Sequence, residues 1–223
     1  MGPTETQPTV HVVDDDESTR TSLTRLLRAA GFEAASYPTA REFMASAQSA
    51  RPGCIVLDVN LPELNGLDFF DAMRRQGVSL PVVFLTGYGD IPMTVRAMKA
   101  GAVDFLTKPL ERGTFLNAIN RALESDLEQR VERETATAVH ERYESLTPRE
   151  REVFAHVVAG RLNKQIAGDL NAAVRTVKAH RAHVMTKMRV RSVADLVRLA
   201  EQLGVKGPAP VRRQALQLDR IAP

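Results

Sequence analysis

The first half of the chain repeats one pattern: a short, mainly apolar run stops at a polar residue and gives way to a stretch of helical periodicity. Residues 9–13 (TVHVV) end in Asp14-Asp15-Asp16, and residues 54–57 (CIVL) end at Asp58. Residues 82–85 (VVFL) end at Thr86-Gly87, and residues 103–106 (VDFL) close on Lys108-Pro109. Residues 32–35 read as one more strand. Between the strands the apolar positions recur at helical spacing. Leu23, Leu26, Leu27 and Ala30 precede a stop at Gly31, and Phe43, Met44 and Ala47 follow a capping Thr39. Phe69, Phe70 and Met73 follow the loop 61–66, residues 92–99 carry a proline in their first turn before Gly101, and a last helix begins near Thr114. Strands that are apolar on both faces need a helical layer on each side. Alternating strands and helices make the sheet parallel. The expected fold is α/β, a five-stranded doubly wound parallel sheet.

In open sheets of this kind the binding crevice lies beyond the carboxyl ends of the strands. Asp14, Asp15, Asp58, Thr86 and Lys108 all fall at that edge. Clustered carboxylates repel one another unless a cation sits among them, and a hard ion such as Mg²⁺ takes oxygen ligands while keeping waters of its own. Asp15 and Asp58 are expected as direct ligands, Asp14 as a ligand through bound water, and the backbone carbonyl of Asn60 as the remaining protein donor. An aspartyl oxygen beside such an ion can attack a phosphoryl group, which makes Asp58 the candidate nucleophile. Lys108 would pair with the phosphate, Thr86 would donate its hydroxyl to it, and Gly87 leaves room. An isolated acidic pair is most often a solvated turn; the ordered series of acidic pair, aspartate, threonine and lysine at successive strand ends argues for a site.

Charge divides the chain. Residues 1–125 hold 12 Lys and Arg against 15 Asp and Glu, a net of −3, whereas residues 145–223 hold 15 against 6, a net of +9. A basic segment appended to a mildly acidic one suggests contact with a polyanion. Residues 114–143 stay helical in pattern and rich in charge. Leu116, Ile119, Leu123, Leu127 and Val131 form a stripe, read either as a solvated linker or as a helical dimer contact.

After Leu146 the pattern is compact and all-helical. Thr147-Pro148-Arg149-Glu150 reads as N-cap, proline at the first helical position and glutamate at the third. Val153, Phe154, Val157 and Val158 line one face; Asn163 is expected to cap a short second helix holding Ile166, Ala167 and Leu170. A turn at Asn171-Ala172 leads to a helix over 174–188 that buries Val177, Val184 and Met188, and a fourth helix covers 193–203. Helix, short turn and second helix in a small basic domain match helix-turn-helix geometry, with the second helix reading the major groove of double-stranded DNA. Arg175, Lys178 and Arg181 fall on its outward face, with His180 and His183 nearby.

Residues 9–124, in VHVVDDD, CIVLDVNLPELNGLDFF and VVFLTGYGDIPMTVRAMKAGAVDFLTKP, resemble the receiver domain of bacterial two-component response regulators. LTPREREVFAHVVAGRLNKQIAGDLNAAVRTVKAHRAHVMTKM resembles the LuxR-type DNA-binding domain, so the whole resembles the FixJ/NarL family. The resemblance implies Asp14 and Asp15 as the acidic pair, Asp58 as the phosphorylated residue, Thr86 as the switch hydroxyl, Lys108 as the phosphate-binding lysine and Phe105 as the aromatic rotamer switch. It places Lys178, His180 and Arg181 in the region facing DNA, with Lys164, Thr176 and Arg189 read as phosphate contacts. Leu64-Asn65 departs from the usual methionine-aspartate before Gly66. Ala173 stands where a serine or threonine cap is usual, which costs roughly 1 kcal/mol. The implied boundaries are a receiver over 1–124, a helical linker over 125–144, the helix-turn-helix domain over 145–205 and a mobile tail over 206–223. The implied partners are a histidine kinase, promoter DNA, RNA polymerase and, once phosphorylated, a second copy of the chain.

Two other classes stay open on the residues alone. One is a hydrolase using Asp58 covalently, although no extra acid, base or lid is visible; the other is a protein-binding switch with a vestigial helix-turn-helix. The single cysteine, Cys54, excludes an internal disulfide and sits in a core strand. With no secretory signal or membrane-length apolar run, the expectation is a non-enzymatic, cytoplasmic regulator.

Overall fold

The computed structural model describes residues 7–46, 51–62, 64–87 and 91–208. Two of the sequence expectations, burial of Ala47 and a mobile segment over 209–223, lie outside the described residues. The chain forms two compact units, Met1–Val131 and Glu132–Pro223.

The first unit is a five-stranded sheet with strands β1 (Thr9–Val13), β2 (Glu33–Tyr37), β3 (Gly53–Asp58), β4 (Val82–Thr86) and β5 (Asp104–Thr107). They pair in the order β2-β1-β3-β4-β5, each pair parallel. Because successive side chains on a strand point to opposite faces, each apolar strand feeds two cores. Val13, Ile55, Leu57, Val82 and Phe84 lie in one cluster, whereas Val10, Val12, Cys54, Val56, Val83 and Leu85 lie in the other.

Helices α2 (Ala40–Ala45), α3 (Gly66–Arg75) and α4 (Ile91–Lys99) cover the first cluster through Phe43, Leu67, Phe69, Phe70, Met73 and Ala97. Helices α1 (Glu17–Ala29) and α5 (Arg112–Glu144) cover the second through Leu23, Leu27, Phe115, Ala118, Ile119 and Ala122. Phe43, Phe84 and Phe115 are fully buried, and each contributes about 1.5–3 kcal/mol of hydrophobic stabilisation. Thr39 caps α2 through the Glu42 N–H at 3.1 Å, as its position suggests.

The outer strands differ from their sequence bounds. β2 runs on to Tyr37 and β5 starts at Asp104, because pairing sets their ends: Thr9 faces Glu33 and Val13 faces Tyr37, while Val83 faces Asp104 and Thr86 faces Thr107. α5 is one helix of 33 residues. Leu116 and Leu123 pack against the second cluster, but Leu127 and Val131 are 64% and 54% exposed. The first unit reaches past residue 124. Buried Asp126 accepts the Gly53 N–H at 2.9 Å and the Arg130 Nε at 2.7 Å, which pins this stretch of α5 to the start of β3.

The second unit holds α6 (Pro148–Val158), α7 (Asn163–Asp169), α8 (Val174–Lys187) and α9 (Val193–Gln202) around Phe154, Ile166, Val177, Val184, Met188 and Leu196. Thr147 and Glu150 close the expected capping box on α6. Asn163 is not a cap: α7 starts at that residue, Leu162 occupies the cap position, and Gln165 Oε1 accepts the Leu162 N–H at 2.8 Å. The turn before α8 places Asn171 at φ 47°, in the left-handed region that asparagine tolerates without a glycine. Ala173 holds the cap position of α8 with no side-chain hydrogen bond.

Candidate functional site

From β1 the chain turns one way to β2 and the other way to β3, so the strand order reverses between β1 and β3 and opens a crevice at their carboxyl ends. Val13 faces Leu57 in register, so Asp14 and Asp58 follow as neighbours at this edge. Both are nearly buried, at 1% and 5% exposed. Lys108 reaches in from the end of β5, donating to Asp14 Oδ2 at 2.7 Å and to Asp58 Oδ1 at 2.9 Å. Its own backbone N–H is fixed on the Thr86 carbonyl at 2.7 Å, and the Lys108–Pro109 peptide is cis.

Each carboxylate has its other oxygen engaged as well. Asp58 Oδ2 accepts the Asn60 N–H at 2.9 Å, and Asp14 Oδ1 accepts the Asp16 N–H at 2.9 Å. Burial pushes the Asp14 carboxyl above its ordinary range, with the Lys108 and Asp16 hydrogen bonds opposing it. Burial works against the charged form of Lys108, but the bonds to Asp14 and Asp58 prevail and hold the ammonium above its ordinary value.

The sequence-derived residues do not all converge. Asp14, Asp58 and Lys108 are brought together, whereas Asp15 is exposed at the rim. Thr86 is fully buried at the end of β4, one residue beyond Leu85, which faces Asp58. Phe105 is half-buried, its ring centroid 6.2 Å from that of Phe84. The carboxylates of Asp14 and Asp58 offer oxygen donors side by side at this edge. That set suits a hard divalent ion and not a soft one.

Three supporting residues escaped the sequence reading. Asp16 caps α1 by accepting the Ser18 N–H at 2.7 Å, which an acidic residue directly before a helical pattern could have revealed. Arg20 donates to the carbonyls of Asp14 and Asp15 at 2.7 and 2.8 Å, fixing the acidic turn, and no local pattern announces it. Gly66, read only as the end of a loop, approaches the backbone so closely that a Cβ there would lie 2.4 Å from the Asp58 carbonyl oxygen. Any side chain at that position would push the Asp58 backbone aside.

In the second unit, Lys164, Arg175, Thr176, Lys178 and Arg189 are exposed. His180 and Arg181 are half-buried. His180 shares the helical stripe of buried Val177 and Val184, and Arg181 donates to Asn163 Oδ1 at 3.0 Å because α8 packs across α7. Burial works against the charged form of Glu150, yet Lys187 at 2.7 Å and the Thr147 N–H at 2.9 Å hold its carboxyl down at about 2.

A sheet edge that gathers two carboxylates and a lysine, on a chain that also carries a helix-turn-helix, is the plan of a transcriptional response regulator, and sequence comparison agrees. Residues 10–120 match the response regulator receiver domain, and residues 144–200 match the bacterial regulatory proteins of the luxR family. Nodulation protein W of Bradyrhizobium diazoefficiens is 47% identical over 200 residues, covering 90% of this chain and 88% of its own length. Transcriptional regulatory protein FixJ of Rhizobium meliloti is 42% identical over 195 residues, covering 87% and 96%. Among solved structures, response regulator StyR superposes with a TM-score of 0.79 at 45% identity, over 88% of this chain and 100% of that one.

The chain belongs to the FixJ/NarL-type response regulators, with a receiver and a LuxR-type DNA-binding domain. Its function is that of a phosphorylation-activated transcriptional regulator. Receiver domains bind Mg²⁺ at the phosphorylation site, and the two domains imply a histidine kinase and DNA as partners. Among the described residues no helix is long and apolar enough to cross a membrane.

Proposed function

We propose that Asp58 is the phosphoacceptor, with Lys108 and Thr86 receiving the phosphoryl oxygens. The observation that carries this is Lys108 Nζ at 2.9 Å from Asp58 Oδ1 at the switch point of the sheet. An Asp58 oxygen attacks the phosphorus of a phosphohistidine; the P–O bond forms as the P–N bond breaks, and the histidine leaves. Lys108 exchanges a carboxylate partner for a phosphoryl oxygen, and the Thr86 hydroxyl donates to another. Asp15 and Asp58 would hold Mg²⁺ directly, Asp14 through water, with the Asn60 carbonyl as the further donor. Bound there, the ion neutralises the oxygens of the incoming group. The chain acts as a regulator rather than as an enzyme with turnover, and it works in the cytoplasm.

Movement of Thr86 toward the phosphate lets Phe105 turn inward and repacks α4. Ile91, Val95 and Met98 are 81%, 44% and 45% exposed there, at spacings of four and three. We infer that this stripe, with β5 and α5, is where two phosphorylated copies meet, which pairs two reading helices on symmetric half-sites. On α8, Arg175, Thr176 and Lys178 lead the DNA surface, with Lys164 and Arg189 at flanking phosphates. Half-buried His180 and Arg181 contribute less. RNA polymerase is the partner at the promoter.

Labelling by a small phosphodonor with Mg²⁺ tests the central assignment. Wild-type protein should form a hydroxylamine-labile acyl phosphate, and Asp58→Asn should not. Labelling of that variant at the wild-type rate would overturn it.

A further inference from the structure

Three residues of the second unit form a ligand set apart from the exposed residues that lead the DNA surface. A carboxylate oxygen of Glu150 and one ring nitrogen each of His180 and His183 lie within 4.8 Å of one another. The two oxygens of Glu150 differ. Oε2 is taken by the Thr147 N–H at 2.9 Å and by Lys187 Nζ at 2.7 Å, whereas Oε1 faces His183 Nδ1 at 3.6 Å. His180 Nδ1 is buried and has no hydrogen-bond partner among the described residues. An imidazole nitrogen out of water and without a partner costs free energy that a ligand at this position would return. His180 and His183 are three residues apart on α8, so their rings share a face.

We propose that Glu150, His180 and His183 form a binding site for a borderline transition-metal ion of the Zn²⁺, Co²⁺ and Ni²⁺ class, which clamps α8 to the start of α6. Two imidazoles and one carboxylate prefer such ions over Mg²⁺, the ion suited to the all-oxygen edge of the receiver. Three protein ligands leave one position for water, and the His183 side chain, 66% exposed, keeps the site open to solvent on that side. Lys187 remains on the other carboxylate oxygen, so the ion shares Glu150 with it, and affinity is lower than in a closed structural zinc site.

Titration of the full-length protein with Co²⁺ in excess Mg²⁺ tests this, because Mg²⁺ occupies the oxygen site while leaving the nitrogen site open. Wild-type protein should take up one Co²⁺ with visible absorption bands typical of low coordination number. Zn²⁺ should displace it. His183→Ala and, separately, His180→Gln should weaken Zn²⁺ binding by at least roughly 10–100-fold. Both variants should retain the wild-type thermal transition in chelator, and a variant that does not is replaced by His183→Asn. Absence of such bands up to millimolar Co²⁺ would overturn the proposal, and so would bands and Zn²⁺ affinity unchanged in the folded variants.

Discussion

Lys108 closes on Asp58 from the far side of β4, its Nζ 2.9 Å from Oδ1 of a carboxylate fifty positions earlier in the chain. The same ammonium holds Asp14, so two carboxylates from two strand ends share one positive charge that arrives from a third. Replacing Lys108 with alanine leaves Asp14 and Asp58 facing each other without it. Breaking a buried pair costs about 3–5 kcal/mol; the Lys108 side chain is 28% exposed, and solvent screening reduces the expected loss to about 1–3 kcal/mol. Chemical denaturation in chelator measures that loss. Addition of Mg²⁺ should restore more stability to the variant than it adds to the wild type, since the ion then supplies the missing charge.

Charging the apolar stripe of α4 tests the dimer. Val95→Asp should remain phosphorylatable on Asp58 but stay monomeric, because Val95 is exposed and its replacement disturbs no core contact. Sedimentation at tens of micromolar, with and without a phosphoryl analogue and without DNA, reads the outcome. A wild-type protein that stays monomeric when phosphorylated shifts the switch to unmasking of the DNA-binding unit.

On α8, Lys178→Ala and Arg175→Ala should fold normally, as both side chains are exposed. A residue reading a guanine edge should cost about 1–3 kcal/mol on the preferred site and relax preference at that base pair. A phosphate contact should weaken all sequences alike and lower the salt slope by about one. Promoter affinity measured at several salt concentrations separates the two, and unchanged affinity in both variants would place the DNA on another face.

His11 makes the first unit sensitive to acid. It is fully buried against Tyr37 and Phe43, and burial lowers its pKa from 6.5 to about 4. The unfolded chain therefore binds a proton between pH 6.5 and about 4 that the folded chain does not, and stability is complete above 6.5 and falls as the pH drops through that window. The full effect is about 3 kcal/mol. His11→Leu should flatten that part of the pH profile, seen in unfolding midpoints of the two proteins. Parallel profiles would show that the imidazole is not the sensor.

The linear order of residues was enough to determine the class of fold. Apolar runs such as CIVL can be satisfied only between two helical layers, and the polar residue ending each run marks one edge of the sheet whatever the register. The caps at Thr39 and Thr147 were equally legible, since capping is a contact between residues three apart. What the sequence left undecided depends on contacts between distant positions. β2 and β5 end where their partner strands end, not where their own composition changes. Asp126 belongs to the first unit because it meets Gly53 across 73 residues, whereas Leu127 and Val131 continue the same periodic stripe and stay exposed. His180 and Arg181 are half-buried because α8 is packed against α7 and α6, and a helical count alone does not say which way a short helix is rolled. Asp15 and Asp14, adjacent in sequence, part company for a similar reason: Lys108 draws one into the crevice, and the turn held by Arg20 leaves the other in water. Local chemistry is written along the chain, whereas the choice among chemically equivalent neighbours is made by packing and by charges that arrive from elsewhere in the fold.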